Sequence, residues 1–476
     1  MSPVPKSPLE LPELLKRISR FVDLNDALVC ARVCKTWSDH FASAVWHTID
    51  FAVHKDLDKM DVKVLARYSH HIRVVENICE RHQILVLIAS KARKLKRLTI
   101  DMTATQDFYA YSADLLRRVN ASLEHVEIVQ YAEDTVPYFA VDSLFPATST
   151  GATSKLSFIK IDGLMMTRDS LSSLLENCPS LDQLDIQDTT LLFLPTYDDS
   201  DIHFYKHSGV THLTAPIGQI FGLGHTSENT PSLFIHFPNL KTWSTWSIGS
   251  DGPEQVSRKV IRDQVTKYCP VLTALWTSTR APISIGMFTQ VFEGLTEICI
   301  RNEEFSAELV VAILDHRETL NQVYTFTSDY FYDSEVIPET KSNQLGTGGW
   351  IIQSLPRHCT GLKVLQFPSF EMDMDDVDHT KWACQDLEEL HIRIQGLDTK
   401  EKIDRAVKLW KEGRIAIQKQ ANSEQEGSDS SRLQLGSIIP PGDKSIEARV
   451  ARHLLKFKKL REVWLGWKVR KVHTKV

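Results

Sequence analysis

The chain has 476 residues, 42% hydrophobic and 24% charged, with a formal net charge of −6; that is the composition of a folded globular protein, long enough for several domains or one repeat array. So small an acidic balance excludes a global field favouring nucleic acid or an anionic membrane, and the longest aliphatic run, 84–89, is far short of the roughly 20 residues a membrane helix needs. The opening MSPVPKSPLE lacks the apolar stretch of a secretory signal, so the eight scattered cysteines read as reduced thiols of a cytoplasmic and/or nuclear protein.

The first elements are three short helices between residues 11 and 51. Pro12 sits where a first helical turn tolerates it. Leu14, Leu15, Ile18, Phe21 and Val22 follow at i, i+1, i+4, i+7 and i+8, one helical face. Asp23 or Asn25 can cap a second helix carrying Leu28, Ala31 and Val33. Trp37, Phe41, Val45 and Trp46 line a third. About forty residues is near the lower limit for a domain without staples. Cys30 and Cys34 have no second pair placed to complete a tetrahedral metal site. Such a module must bury its surplus apolar surface against the rest of the chain or against a partner.

Leu11-Pro12 opening a helix, then Ile18, Asp23-Leu24, Leu28, Val33-Cys34-Lys35-Thr36-Trp37 and Trp46, at these intervals, resembles an F-box. Phe21-Val22 stands where many members have Leu before the acidic residue, a conservative swap. The resemblance implies docking on the Skp-type adaptor of a cullin–RING ubiquitin ligase. The matching positions are Leu11, Pro12, Leu15, Ile18, Leu24, Leu28, Val33 and Trp37; several would fill the adaptor's groove and the others would hold the helices together. The alternative is an N-terminal helical cap over the first repeat of the body, since repeat arrays need terminal caps.

From about residue 90 a phrase, L-x-x-L-x-I, recurs with starts at Leu95, Leu123, Leu156, Leu181, Val210, Leu240, Leu272, Leu295, Leu320, Leu362, Leu387 and Leu460. Three apolar matches arise by chance at ~0.07 per position, so the phrase alone proves little. Spacing and context carry the case. Most starts lie 23–33 residues apart, the range of leucine-rich repeats or slightly longer. "SLSSLLENCPSLDQLDI", "SRKVIRDQVTKYCPVLTALW" and "WIIQSLPRHCTGLKVLQF" each read as helix, turn and strand. The body resembles the leucine-rich repeats that often follow an F-box, in a divergent, fungal-type form. The predicted fold is α/β: an F-box at 7–51, then a right-handed leucine-rich-repeat solenoid over 52–476 with a mobile insertion at about 420–446.

A strand alternates sides at each residue. Positions one, four and six of the phrase are assigned to the interior, and three and five to a concave outer face. On that face Trp276, Tyr324, Gln366, His391 and Trp464 are the candidate target-binding residues, because large aromatics there are common anchors. A register slip of one residue would instead make the aromatics core.

No G-x-S-x-G, H-E-x-x-H, Walker or G-x-G-x-x-G motif occurs, so no catalytic residue, cofactor or metal is assigned. His203 and His207, four apart, read as surface histidines. Glu371 to Asp378 holds five acids in eight residues without the glycine of a calcium loop; it reads as a solvated acidic loop. From Glu447 to the end, ten Lys/Arg face two acids; this is either the charged outer face of a last repeat or a patch for an acidic partner. The expectation is a non-catalytic substrate receptor whose partners are a Skp-type adaptor, a cullin and an unknown target protein. A protein-interaction scaffold outside ubiquitination is the alternative.

Overall fold

The computed structural model describes residues 11–19, 21–54, 61–102, 106–130, 144–145, 154–187, 189–192, 205–220, 232–246, 258–278, 289–301, 307–326, 352–425, 438–440 and 442–465. They divide into two compact units, Met1–Leu240 with Tyr268–Pro270, and Lys241–Lys267 with Val271–Val476.

The first unit opens with three helices, α1 (Pro12–Ile18), α2 (Leu24–Cys30) and α3 (Lys35–Val45). A parallel sheet follows. Its strands, in spatial and chain order, are β1 (Thr48–Asp50), β2 (Val74–Ile78), β3 (Arg97–Met102), β4 (His125–Gln130), β5 (Phe158–Asp162), β7 (Gln183–Asp185) and β9 (His212–Thr214). A side pair, β6 (Met165–Thr167) and β8 (Thr190–Leu192), is also parallel. Parallel neighbours need a crossover, and α4 (Val62–Tyr68), α5 (Arg81–Ala89) and α6 (Gln106–Val119) supply the first ones.

The second unit carries seven parallel strands, again in chain order: β10 (Thr242–Trp246), β11 (Ala274–Ser278), β12 (Glu297–Arg301), β13 (Gln322–Phe326), β14 (Val364–Met372), β15 (Glu389–Ile394) and β16 (Glu462–Leu465). Its helices include Ala307–Leu314, Lys400–Gln425 and Ile446–Leu454.

Each of the twelve phrases enters one of these strands at its third residue. In the first unit the third positions pair in register: Arg97 with His125, His125 with Phe158, Phe158 with Gln183 and Gln183 with His212. In the second, Thr242, Ala274, Glu297, Gln322, Val364, Glu389 and Glu462 do the same. Every side chain at positions one, four and six is at most 6% exposed. The interior register is therefore as expected, and the one-residue slip is ruled out. Each buried Leu or Ile contributes about 1.5–3 kcal/mol, and only stacked neighbours close such a core.

Two strands precede the first phrase. β1 lies within the stretch assigned to the front module and pairs with Val74–Glu76. β2 breaks the phrase's spacing. Ile72, Val75 and Ile78 are its fully buried positions, where the phrase would bury residue 77. Asn77 takes a left-handed φ of 57°, which Asn tolerates better than most residues, and the register shifts so that Ile78 pairs with Ile100. The Asn77 amide donates to Asp50 Oδ1 on β1 (2.7 Å), which holds the bulge in place.

Buried polar side chains join one turn of chain to the next. His207 is 2% exposed, so it is not the surface histidine expected. Its Nδ1 accepts from the Gly209 and Val210 amides (3.2 and 3.1 Å), and its Nε2 donates to the Cys178 carbonyl (2.9 Å). His203 lies outside the described residues. His316 repeats the device in the second unit: Nδ1 accepts from the Leu295 amide (3.3 Å), and Nε2 lies 3.1 Å from the Thr289 carbonyl. Cys178, Cys269, Cys359 and Cys384 are buried, and burial pushes each thiol up, Cys178, Cys359 and Cys384 to about 12.

Gly163, in the turn after β5, has a φ of +72°, and a Cβ there would lie 2.3 Å from the Gln130 carbonyl oxygen. Backbone cannot yield as a side-chain tip can. Gly163→Ala is expected to destabilise the first unit by more than about 2 kcal/mol. A denaturation midpoint equal to wild type would contradict this.

Residues 426–437 of the expected mobile insertion lie outside the described residues. Residues 400–425, however, form a 26-residue helix. Ala406, Val407, Trp410 and Ala416 are its buried face, and it packs against Ile446–Leu454. The acidic stretch is no solvated loop either. Asp373 caps a short helix, Met374–Asp378, and Arg449 from the basic segment pairs with Asp375 (2.5 Å) and Asp378 (2.7 Å). Arg452 donates to the Asp443 carbonyl (2.6 Å) and Lys459 pairs with Asp386 (2.9 Å). The basic segment through 465 thus serves the last repeat, while 466–476 lies outside the described residues. Among the described residues, no helix is long and apolar enough to cross a membrane.

Candidate functional site

The three front helices hold a very small core. Among the described residues, Leu15, Ala27 and Phe41 form its buried cluster, with Ile18, Val22, Cys30, Ala31, Trp37, Ala44 and Val45 packed partly against it. Trp37 stacks on Phe41 with centroids 5.5 Å apart. Of the two capping candidates, Asp23 caps α2, accepting from the Asp26 amide (2.8 Å). At the far end Trp46 stacks on Tyr68 of α4, 4.9 Å apart and nearly coplanar.

The eight residues matched to adaptor docking separate by exposure. Leu11 (40%), Leu24 (40%), Leu28 (38%) and Val33 (59%) are exposed, and Pro12 with them. Leu15 is wholly buried, which places it among the members of the set that hold the helices together. Ile18 and Trp37 are half-buried against the same core. Three apolar residues outside the set are also exposed: Leu14, Val29 (63%) and Phe21 (81%). Phe21 was expected on the buried face of the first helix. That helix ends at Ile18, where the Ser19 hydroxyl donates back to the Lys16 carbonyl (3.0 Å), so Phe21 leaves the helical period. Exposed apolar side chains this dense on so short a segment mark a docking surface.

A second candidate surface lies on the sheet of the second unit. The pairings place Ser244, Trp276, Cys299, Tyr324, Gln366, His391 and Trp464 in one row across seven strands. All five target-binding candidates therefore share a face and a line. Trp276 is 36% exposed and donates from Nε1 to Glu297 Oε1 (2.7 Å). Tyr324, Gln366 and Trp464 are half-buried. His391 is mostly covered, its ring 4.9 Å from that of Trp464. Burial lowers its pKa to about 4, so the imidazole is neutral at physiological pH. Burial, then the carboxylates of Glu297 and Glu389, push the Tyr324 phenol well up.

The corresponding face of the first unit carries several charge pairs. Arg97 pairs with Glu127 (2.9 Å) and approaches Glu76 (3.6 Å), His125 Nε2 is 2.7 Å from Glu127, and Lys160 is 3.9 Å from Asp162. The His125 hydrogen bond, with Arg97 and Lys160 nearby, holds the Glu127 carboxyl below its usual range. Among the described residues no group of three or more His, Cys, Asp or Glu is gathered to hold a metal.

Residues 8–45 match the family model of the F-box domain. The three front helices and their exposed leucines fall within that match, so the chain carries an F-box domain at its front. Such a domain implies a role in substrate recognition by SCF-type ubiquitin ligases or in protein interaction, and F-box domains typically bind Skp-type adaptors. No curated protein matches the chain.

Proposed function

We propose that this protein is a non-catalytic substrate receptor of a Skp-adaptor/cullin/F-box (SCF-type) ubiquitin ligase, acting in the cytoplasm and/or nucleus. The front helices dock the adaptor. The strand-and-helix body, which we assign to divergent leucine-rich repeats of the fungal type, holds a target protein on its outer strand face. Rate enhancement comes from proximity: the receptor raises the target's effective concentration beside the ubiquitin-charged enzyme.

The observation that carries this reading is the exposed line Leu11, Pro12, Leu24, Leu28 and Val33 on a segment whose buried core has three residues. A helical cap over the body would turn those side chains inward. The repeat assignment rests on the twelve in-register phrases. Co-purification of full-length protein with a Skp-type adaptor tests the docking: wild type is expected to retain adaptor and cullin, and Leu11→Ala/Pro12→Ala to lose most of both. Equal recovery by the two proteins, or none by wild type, refutes the ligase reading. Adaptor without cullin would favour a scaffold outside ubiquitination.

A further inference from the structure

Alternate positions on strands β11 to β16 build two parallel rows on one face of the second unit. Trp276, Tyr324, His391 and Trp464 stand in the fifth-position row, and Glu297, Glu389 and Glu462 in the third-position row. Same-face rows lie about 7 Å apart along the strands. The acids have no cation of their own among the described residues. Of the arginines near Glu389 and Glu462, Arg393 is turned toward Glu371 (3.8 Å) and Arg461 onto Glu388. Glu297 accepts the Trp276 indole N–H through one oxygen, which leaves its charge and its second oxygen available. On the first unit's strand face, by comparison, Arg97 pairs with Glu127 and Lys160 lies near Asp162.

His391 supplies an independent observation. It is only 7% exposed on this row, with its ring tilted against that of Trp464 at 4.9 Å. A neutral imidazole in that position offers an acceptor to an incoming N–H.

We propose that these two rows form a docking groove for an extended cationic segment of the target protein, about seven residues long with Lys or Arg at alternate positions. This rests on the reading of the outer strand face as the target-binding surface. The length follows from geometry: six strands at about 4.8 Å spacing span about 24 Å, which an extended chain covers in about seven residues. Cationic heads seat over the aromatic faces at about 6 Å or less, with the carboxylates beside them. Aromatics supply contact area, and the carboxylates select for positive charge and exclude acidic segments.

Full-length protein and two fluorescein-labelled peptides test this by anisotropy: Lys-Ser-Lys-Ser-Lys-Ser-Lys and its Glu-for-Lys counterpart. Wild type is expected to bind the lysine peptide at least about tenfold more tightly than the glutamate peptide, with affinity falling as salt rises. Glu297→Gln/Glu389→Gln/Glu462→Gln should weaken the lysine peptide about tenfold, and Trp276→Ala several-fold. A charge-matched control on the exposed side of helix 400–425, Glu401→Gln/Asp404→Asn/Glu412→Gln, should stay within about twofold. Equal loss in both triple variants, equal binding of the two peptides, or no binding of the lysine peptide overturns the proposal. Adaptor capture by the same variants is read in parallel. Intact capture with no charge preference removes the groove and leaves the ligase reading standing; lost capture in Leu11→Ala/Pro12→Ala with no change in peptide binding separates the two surfaces.

Discussion

Phe41→Ala is expected to unfold the front helices and abolish adaptor capture while leaving the strand body folded. Truncating a buried Phe costs about 3–5 kcal/mol, and so small a core seldom supplies more than that in total. Phe41 is wholly buried, stacks with Trp37 and is one of three residues at the centre of the segment. Hydrogen exchange should show protection lost over 12–45 and retained in β3 to β5. Leu28→Asp is the matched surface test. Leu28 is 38% exposed, so its replacement should leave exchange unchanged and still reduce adaptor affinity, by about 2 kcal/mol or more if it lies among the anchors of the interface. Protection surviving in Phe41→Ala, or melting in Leu28→Asp, would reverse the assignment of core and docking face.

Acid is expected to destabilise both units in a window set by buried histidines. His236 in the first unit and His391 in the second are lowered by burial to about 4, and His453 to about 3. All three are neutral in the fold, whereas the unfolded chain takes up protons below about 6.5. Their contribution is therefore complete above pH 7 and is lost as pH falls through 6.5 toward 4. A depression of about 2.5 units corresponds to roughly 3 kcal/mol per histidine. His453 is the sharpest case. It packs edge-on to Trp382 (4.7 Å) and against Phe457 (5.3 Å), and neither ring nitrogen finds a hydrogen-bond partner among the described residues. Guanidinium midpoints measured from pH 7.5 to 4.5 should fall steadily, and His453→Phe should flatten the second unit's slope. A flat wild-type profile, or an unchanged slope in His453→Phe, would contradict this.

Much of the body was legible because a parallel strand buried on one face repeats its burial every second residue, and apolar composition follows burial. The phrase starting at Leu240 illustrates how far this reaches. Its fourth position is Trp243 and its sixth Thr245, a poor match by residue type, yet both are buried and in register with β11. β1 and β2 escaped notice for opposite reasons. β1 continues directly from the front helices and was absorbed into them. β2 has its period broken at Asn77, whose backbone turn moves the third core residue one place along the chain.

The linear order of residues by itself determined the front helices, the twelve strands that the recurring phrase enters and the face on which Trp276, Tyr324, Gln366, His391 and Trp464 stand. These follow from local periodicity, which needs no partner to be read. Only the tertiary structure decided which apolar residues of the front segment are core and which are left to a partner, because Leu15 and Leu28 are chemically identical and differ only in what packs over them. It also decided which charges are already answered, since Asp375 and Arg449 lie 74 residues apart in the chain and 2.5 Å apart in space. No period in a sequence encodes that distance.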